Sequence, residues 1–458
     1  MSPATGDVVR DAGGLERYHI ILGQLGLDSC VAICGEYSST TGIALTKEAL
    51  YPALHAMVRK HGALGLQVRP GPAINDVPQF VRLREIDLDT AVTFLEDDSF
   101  SADEALRAEL ERPFVLGTAA PLWRVTVANG RVVVLAFHHC IGDGQSAPAL
   151  QAALWSALNG VTIGGHFSSV IAVPEDLSIT GPLEALTNTS LFPLGIIHLL
   201  FHLLTPKRFS ARARAWTGNS VSPTPTLDIT VRCWEISPAQ MTQILQLCRD
   251  NKTTFTAFLH TLTVGVLSQL LVARGLPPKY KTIATAVPVS LRRFTGVSPF
   301  ALCDHVGMEQ FLAPIAPLSR DTLFPWDAAR KFGERLHRDV PQTRETLGML
   351  RLLMRVGDPQ AFYEGMLGRP RHSGVILSSL GRFPVREGEK AGGGAWRLEK
   401  VCFAQSDVVL GAAMKVNVVG SPEGSTNVAF AWGAHAIDGG LAEEFVKEMK
   451  VTLERILQ

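Results

Sequence analysis

The chain has 458 residues, of which 46% are hydrophobic, enough for two core-bearing domains or one large two-lobed unit. Its 43 Lys and Arg residues balance 43 Asp and Glu residues, so net charge favours neither nucleic acid nor an anionic membrane as a partner. The seven cysteines show no CxxC spacing, and we recognise no secretory segment ahead of them. This composition predicts reduced thiols and a cytoplasmic protein.

The N-terminal part of the chain predicts ordinary amphipathic elements. Residues 13–38 favour a short helix followed by a strand from about Cys30 to Tyr37. Residues 47–61 place four apolar side chains on one helical face, which indicates packing against a core: Leu50, Leu54, Met57 and Val58. Asn129 and Gly130 then predict a hairpin turn between two strands.

Residues 131–150, RVVVLAFHHCIGDGQSAPAL, read as a strand, a tight turn and a helix. The run 132–137 is almost wholly apolar, which is typical of a strand buried on both faces. Four residues fall where this strand must turn, a position at which open sheets usually place their chemistry: His138, His139, Asp143 and Gly144.

His139 is a candidate general base, because an imidazole can take up a proton near neutral pH. Asp143 would either orient that ring or pair with a cation that braces the turn, and Gly144 would allow a backbone conformation closed to larger residues. The alternative is a pair of core histidines hydrogen-bonded to the main chain. Cys140 invites a nucleophile interpretation, but a small buried residue is the commoner role of a free cysteine.

The stretch HHCIGDG, residues 138–144, matches the HHxxxDG signature of the CoA-dependent acyltransferase superfamily. That superfamily includes chloramphenicol acetyltransferase, the plant BAHD acyltransferases and the condensation domains of peptide synthetases. The resemblance implies that His139 removes the proton of an acceptor hydroxyl or amine as it attacks a thioester carbonyl. It also implies that Asp143 is structural, with His138 and Gly144 supporting the turn.

The N-terminal segment resembles the opening of the fungal alcohol O-acetyltransferase family in five positions: Glu16, Tyr18, His19, Leu22 and Gly23. The absence of the plant DFGWG motif points towards the same branch. On this resemblance His19 borders the acceptor cavity, with a surface or structural histidine as the alternative.

Residues 191–204 form the most hydrophobic run of the chain, but a membrane span needs about twenty residues and Pro193 interrupts this one. The run either lines an apolar acceptor pocket, which we favour, or makes a peripheral contact with an internal membrane through residues 191–214. His198 and His202 have metal-ligand spacing on a helix, but no third ligand lies near in the sequence. No metal is predicted.

Residues 207–226 are polar and rich in Ser, Arg and Pro, which is the composition of an exposed crossover. We therefore divide the chain into an N-terminal lobe of residues 1–206 and a C-terminal lobe of residues 227–458. Ser237 and Pro238 open a helix in the second lobe. Thr253 or Thr254 caps the next helix, and the superfamily resemblance makes Thr254 a candidate contact of the pantetheine arm of CoA.

Residues 281–294 predict a buried strand that ends in an arginine pair and resembles the "PVSxR" element of the superfamily. On that resemblance Arg292 pairs with Asp143, and a buried carboxylate does need a partner. Arg293 is the competitor, and two solvated arginines are the alternative. Residues 373–383 resemble the "SNLG" strand, which makes Ser378 and Ser379 candidate substrate or CoA contacts; a hydroxyl there can donate to the thioester oxygen.

Residues 427–440 repeat the order strand, Asp-Gly turn and helix seen around His139. When the two Asp-Gly pairs are aligned, Ala434 stands opposite His139, and His435 is three residues before its Asp rather than four. This pattern predicts two pseudo-symmetric lobes that share one active site.

Together these features predict a two-lobed α/β fold of the chloramphenicol acetyltransferase type, with a tunnel between the lobes and a monomeric chain. The predicted activity is transfer of an acyl group from acyl-CoA, in the first place acetyl-CoA, to the hydroxyl of a hydrophobic acceptor such as a terpenoid or fatty alcohol. The alternatives are N-acylation of an amine and a condensation-like protein that binds without turnover.

Overall fold

A computed structural model describes residues 6–28, 30–97, 100–161, 167–176, 178–189, 211–318, 323–385, 394–406 and 409–458. The apolar run 191–204, with both histidines of the predicted metal spacing, lies outside the described residues, as does most of the segment 191–214. The longer helices are Gly14–Gln24, Lys47–Lys60, Ala102–Glu111, Ser146–Gly160, Pro238–Asp250, Phe255–Ala273, Trp326–Asp339, Thr343–Val356 and Gly439–Leu457. The short helical segments are Gly62–Gly65, Leu88–Ala91, His139–Ile141, Leu183–Leu186, Ala211–Arg214, Arg292–Thr295, Val340–Gln342 and Pro359–Glu364.

The first large sheet has five strands, in the order Trp396–Gln405, Cys30–Ser39, Val132–His138, Trp123–Ala128 and Val92–Leu95. All neighbours are antiparallel except the last pair. Asn129 and Gly130 both have positive φ in the turn before Val132–His138, as the hairpin prediction requires. Helices Lys47–Lys60 and Ser146–Gly160 contribute to the core that this sheet buries.

The second large sheet has seven strands and mixes parallel and antiparallel pairs. Its main path runs Ala215–Trp216, Thr282–Ser290, Ser373–Ser379, Ala412–Gly420, Thr426–Gly433 and Ile229–Ile236, with Val306–Pro314 paired to Thr282–Ser290. Two small sheets complete the described strands: Val8–Asp11 with Gln79–Arg82 and Leu66–Arg69, and Glu85–Asp87 with Val170–Ala172.

The two large sheets meet through small side chains. Cys30, Ala32 and Ala136 of the first sheet share a buried cluster with Ala429 and Ala431 of the second. Small residues let the two backbones approach closely, which brings the ends of their strands to one place. The strand Trp396–Gln405 comes from the C-terminal part of the chain but pairs with Cys30–Ser39 of the first sheet. The division at residues 207–226 stays a prediction.

Helix Phe255–Ala273 is, among the described residues, the one whose length and composition would suffice to cross a membrane. However, 72% of its most apolar window is buried inside the protein. It packs in the core beneath the second sheet, where an all-apolar helix is expected.

The repeated strand, turn and helix is present twice in the structure. Val132–His138 leads into Ser146–Gly160, and Thr426–Gly433 leads into Gly439–Leu457. In each copy the Asp of the Asp-Gly pair accepts a hydrogen bond from the backbone amide three residues later: Asp143 Oδ1 from Ser146 N at 3.1 Å, and Asp438 Oδ1 from Leu441 N at 2.8 Å. The two turns thus share an Asp-to-amide hydrogen bond, although the helix N-cap is Asp438 itself in the second unit and Gln145 in the first.

Candidate active site

The turn after Val132–His138 carries His139 into a cavity of about 450 Å³. The cavity wall comes from distant parts of the chain and includes His19, His139, Pro288, Ser378 and Lys415. His139 is only 6% exposed, and its Nδ1 atom is enclosed without a hydrogen-bond partner among the described residues. Nε2 is therefore the ring nitrogen left to face the cavity.

His19 lies directly against His139. The two imidazole rings are stacked, with centroids 3.7 Å apart and an interplanar angle of 8°. Asp28 lies 3.1 Å from His19 Nδ1 and also accepts a hydrogen bond from Ser406 Oγ at 2.6 Å. The predicted position of His19 at the cavity holds in the structure, but its stacking on His139 and its carboxylate partner were not expected from the sequence.

Asp143 pairs with Arg292 rather than orienting the His139 ring. Arg292 Nη1 donates to Asp143 Oδ2 at 2.6 Å, and both side chains are almost fully buried. The backbone amide of His305 donates to the same oxygen at 3.1 Å. Burial favours a raised pKa at Asp143, but the Arg292 charge and these hydrogen bonds outweigh it and lower the pKa of the carboxyl below its usual value. Arg293, the competing arginine, is exposed and contacts the Phe294 ring.

Gly144 does not fulfil the backbone role expected of it. Its φ lies outside the left-handed region, so any residue could adopt its conformation. A Cβ atom at this position would instead lie 3.0 Å from Gln405 Nε2 and 3.1 Å from Leu380 Cδ2. The expectation of a special backbone conformation is therefore wrong, and the glycine is needed for space at the cavity wall.

Replacing Gly144 with alanine should impair the cavity without unfolding the protein. The added methyl group forces the side-chain ends of Gln405 and Leu380 to shift, and we expect roughly a tenfold loss in kcat/KM, since small displacements near reacting groups are costly. Steady-state kinetics with a thermal melt measure the effect. Gly160→Ala is the matched control, because a Cβ there meets nothing within 4 Å. Equal losses in both variants would contradict the spatial explanation.

His138 supports the turn from outside the cavity. Its Nδ1 atom accepts a hydrogen bond from the Cys140 backbone amide at 3.1 Å. Its Nε2 atom faces Gly23, where a Cβ would come within 2.9 Å. Gly23 is thus part of the N-terminal resemblance for a spatial reason: it leaves room for His138.

Ser378 and Ser379 end a strand of the second sheet and both line the cavity. Ser378 is 2% exposed and lies on the same wall as Gln405. Thr254 is different: its hydroxyl accepts from Ala257 N as a helix cap, and it is exposed and absent from the cavity wall. A contact between Thr254 and acyl-CoA stays a prediction.

Lys415 and Gln405 are cavity residues that the sequence reasoning missed. Lys415 is 2% exposed, and its Nζ donates to Gln405 Oε1 at 2.9 Å inside the protein. A usable signal was present, because Lys415 lies in the mostly apolar strand Ala412–Gly420 and buried lysines are rare without a partner. Asp28 and Asp304 were also missed, since neither stands in a recognisable motif.

Burial controls the protonation of the histidine pair. Burial, together with the neighbouring His19, lowers the pKa of His139 to about 3, and burial lowers the pKa of His19 despite its hydrogen bond to Asp28. Both rings are therefore neutral at physiological pH. A neutral imidazole can accept a proton, but the positive charge that results must be stabilised within the site.

His19, His139 and Asp304 form a cluster in which candidate metal-ligand atoms lie within 4.8 Å of one another. The lone pair of an imidazole nitrogen lies in the plane of the ring, so a coordinated metal ion lies close to that plane. The two rings are stacked with parallel planes, and one ion cannot lie in both. This arrangement does not fit a metal site.

Comparison with known proteins identifies the relatives of this chain. Residues 11–450 match the alcohol acetyltransferase family. The chain belongs to the alcohol acetyltransferase family. The "Probable alcohol acetyltransferase crmB" of Aspergillus fumigatus is 24% identical over 93% of this chain and 96% of its own length. The "Probable alcohol acetyltransferase FCK4" of Fusarium pseudograminearum is 27% identical over 82% of this chain and 79% of its own length.

Solved structures show the fold of this family member. The trichothecene 15-O-acetyltransferase of Fusarium sporotrichioides superposes with a TM-score of 0.71 over 100% of this chain and 98% of that chain, at 10% identity. The condensation domain of the Monacolin K polyketide synthase MokA gives a TM-score of 0.63 over 100% of this chain and 98% of that chain, at 12% identity. The predicted chloramphenicol acetyltransferase-like α/β fold is therefore confirmed, and the family supports acyltransferase activity.

Proposed function

We propose that this member of the alcohol acetyltransferase family transfers an acetyl group from acetyl-CoA to the hydroxyl of a hydrophobic alcohol, with His139 as the general base. The observation that carries the proposal is the placement of His139: a neutral imidazole with one enclosed nitrogen and the other facing a cavity built by both sheets. A general base must reach the proton that it removes, and His139 lies at the cavity wall, where it can do so. Two further histidines line the described wall: His19 is stacked on the His139 ring, and His372 is exposed to solvent.

The cavity wall supports a hydrophobic acceptor. Its volume of about 450 Å³ lies in the usual range for a small-molecule site. Apolar side chains dominate the part of the wall beyond the histidines, including Leu15, Met308, Leu350, Phe362, Ile376 and Leu380. A terpenoid or fatty alcohol would bury its hydrocarbon against these residues, and its hydroxyl would be directed to the polar end.

The reaction needs one proton transfer in each direction. His139 Nε2 takes the proton of the acceptor hydroxyl while the hydroxyl oxygen attacks the thioester carbonyl carbon and a tetrahedral intermediate forms. The carbon–sulfur bond then breaks, and the departing thiolate of CoA recovers the proton from His139. The products are the ester and free CoA, and His139 is neutral again. Holding both substrates in line supplies much of the rate, so no covalent acyl-enzyme is required.

Two features support direct transfer between the substrates. Cys140 is 1% exposed, and burial raises the pKa of its thiol well above the usual value, so it is not available as a thiolate nucleophile. The Ser378 hydroxyl lines the cavity near Gly144, and in this scheme it donates to the carbonyl oxygen as negative charge develops there. Ser379 lies at the end of the same strand and is a second candidate donor.

Release of free thiol from acetyl-CoA by the purified protein tests the activity. We expect thiol release with terpenoid or fatty alcohols, and ester products by mass spectrometry, with little release when the hydroxyl is absent. Matched primary amines in the same panel test N-acylation, because the same base would serve an amine. Binding of acetyl-CoA without thiol release for any acceptor would contradict the proposal and favour a protein that binds without turnover.

A further inference from the structure

Asp304 has a buried carboxyl group whose two oxygens lack hydrogen-bond donors in the described structure. It is 2% exposed, and within the described chain neither Oδ1 nor Oδ2 has a hydrogen-bond partner. A buried polar group in this state is costly, and a native protein rarely tolerates it without a reason. Asp304 is not part of the cavity wall, so contact with substrate does not supply that reason.

The His19 imidazole lies close to the Asp304 carboxyl group. His19 Nε2 lies 3.5 Å from Asp304 Oδ2, and His19 Nδ1 lies 3.1 Å from Asp28 Oδ2 on its other side. The two carboxyl groups thus bracket one ring. Because that ring is stacked on His139, whatever fixes His19 also fixes the face on which His139 rests.

The protonation states of the three groups are complementary. Burial favours a raised pKa at Asp28, but its hydrogen bonds to His19 and Ser406 hold that pKa below its usual range, so Asp28 is an ionised acceptor. It therefore requires the hydrogen on His19 Nδ1, which leaves Nε2 as an acceptor. Burial and neighbouring carboxylates raise the pKa of Asp304 well above its usual range, so that this group is a neutral acid with an O–H to donate.

We propose that Asp28, His19 and Asp304 form a hydrogen-bonded chain that positions the ring of His139, with Asp304 donating to His19 Nε2. The inference rests on the proposed function only for its effect on rate. His139 Nδ1 has no partner of its own in the described structure, and Asp143 is occupied by Arg292. The stacked His19 ring is then the contact that keeps His139 Nε2 directed at the cavity. Asp304 and His19 are positioning residues in this scheme.

The proposed hydrogen-bonded chain requires residue 304 to be a neutral hydrogen-bond donor rather than a negative charge. Asp304→Asn supplies an N–H donor of the same shape, so it should keep kcat within about threefold of the wild-type value. Asp304→Leu has no donor, and we expect it to lower kcat by about 10- to 100-fold, with KM for acetyl-CoA little changed. Rescue by Asn but not by Leu distinguishes this role from simple filling of space.

His260→Gln is the matched control. His260 is another buried histidine stacked on an aromatic ring, 3.6 Å from Phe332 with an interplanar angle of 3°, and it lies outside the cavity wall. Its replacement should leave kcat unchanged. A loss of kcat in Asp304→Asn equal to that in Asp304→Leu would overturn the inference, because it would show that a neutral hydrogen-bond donor at this position does not sustain the rate.

A second measurement tests the chain without turnover. Nitrogen NMR of protein labelled in its histidine rings reports which ring nitrogen carries the hydrogen, and loss of a signal in His19→Gln assigns His19. We expect His19 to carry its hydrogen on Nδ1, with Nε2 accepting. A hydrogen on Nε2 alone would overturn the inference. If the wild-type protein transfers no acyl group to any acceptor, the proposed function fails. The His19 nitrogen signal still tests the hydrogen-bonded chain in that case.

Discussion

Replacement of His139 by alanine should lower the rate of acyl transfer by about 10²–10⁴-fold, the usual contribution of a general base. The fold should survive, because the ring nitrogen Nδ1 makes no hydrogen bond in the described structure and the Asp143–Arg292 pair remains in place. The measurement is steady-state thiol release from acetyl-CoA, with circular dichroism and a thermal melt on the same preparation.

The pseudo-symmetry of the chain supplies the control. His435 lies near the equivalent turn of the second strand–turn–helix unit, but its side chain is exposed and is not part of the cavity wall. His435→Ala should therefore retain full activity. If His435→Ala were inactive and His139→Ala active, the reaction would take place at the second strand–turn–helix unit, which would contradict the proposed mechanism.

Replacement of Arg292 by alanine should destabilise the protein by about 3–5 kcal/mol, which is the usual result of removing one partner of a buried ion pair. Asp143 would keep a buried negative charge, and the carbonyl oxygens of Ala301 and Cys303 would lose the donor they share. Chemical denaturation followed by circular dichroism measures the free energy of unfolding. Activity should fall as well, because the turn that carries His139 is anchored by this pair.

Two comparisons isolate the contribution of burial. Arg274 also bridges two carboxylates, Asp438 and Glu444, but on the surface, so Arg274→Ala should change stability little. The double variant Asp143→Asn with Arg292→Met removes both charges and should lose less stability than Arg292→Ala alone. The losses of unfolding free energy in Asp143→Asn and in Arg292→Met are measured separately. If the double variant loses at least as much as their sum, the pair acts mainly through its shape.

The residues that line the cavity beyond His139 belong to no motif recognised in the sequence. The fold is shared by the trichothecene 15-O-acetyltransferase and by condensation domains, so it does not specify an acceptor. In this chain, the wall beyond His139 comes from helices and strands between residues 286 and 415, together with the N-terminal helix. Under the proposed function, substitution at these positions would change the acceptor while leaving His139 in place.

The turn that carries His139 was predictable because its signal is local. An apolar run of strand length followed by His-His and Asp-Gly allows few alternatives, and the strand Val132–His138 and the helix Ser146–Gly160 lie where the pattern placed them. The pairing of Arg292 with Asp143 was predictable because a carboxylate at a buried turn needs a cation. The superfamily resemblance identified which of the two adjacent arginines supplies it. Gly144 was misjudged because its constraint comes from Gln405 and Leu380, far away in the chain.

Periodicity, the seven-residue motif and the N-terminal resemblance were thus sufficient for the elements around His139, the family and the residue proposed as the base. These sequence signals did not predict which side chains surround that residue. His19 and Asp28 come from the start of the chain, Asp304 precedes a strand of the second sheet, and Gln405 belongs to a strand that joins the first sheet from the C-terminal part. Their proximity depends on how the two sheets pack, and a buried carboxyl or lysine has no sequence pattern of its own, since its protonation and its partners follow from burial.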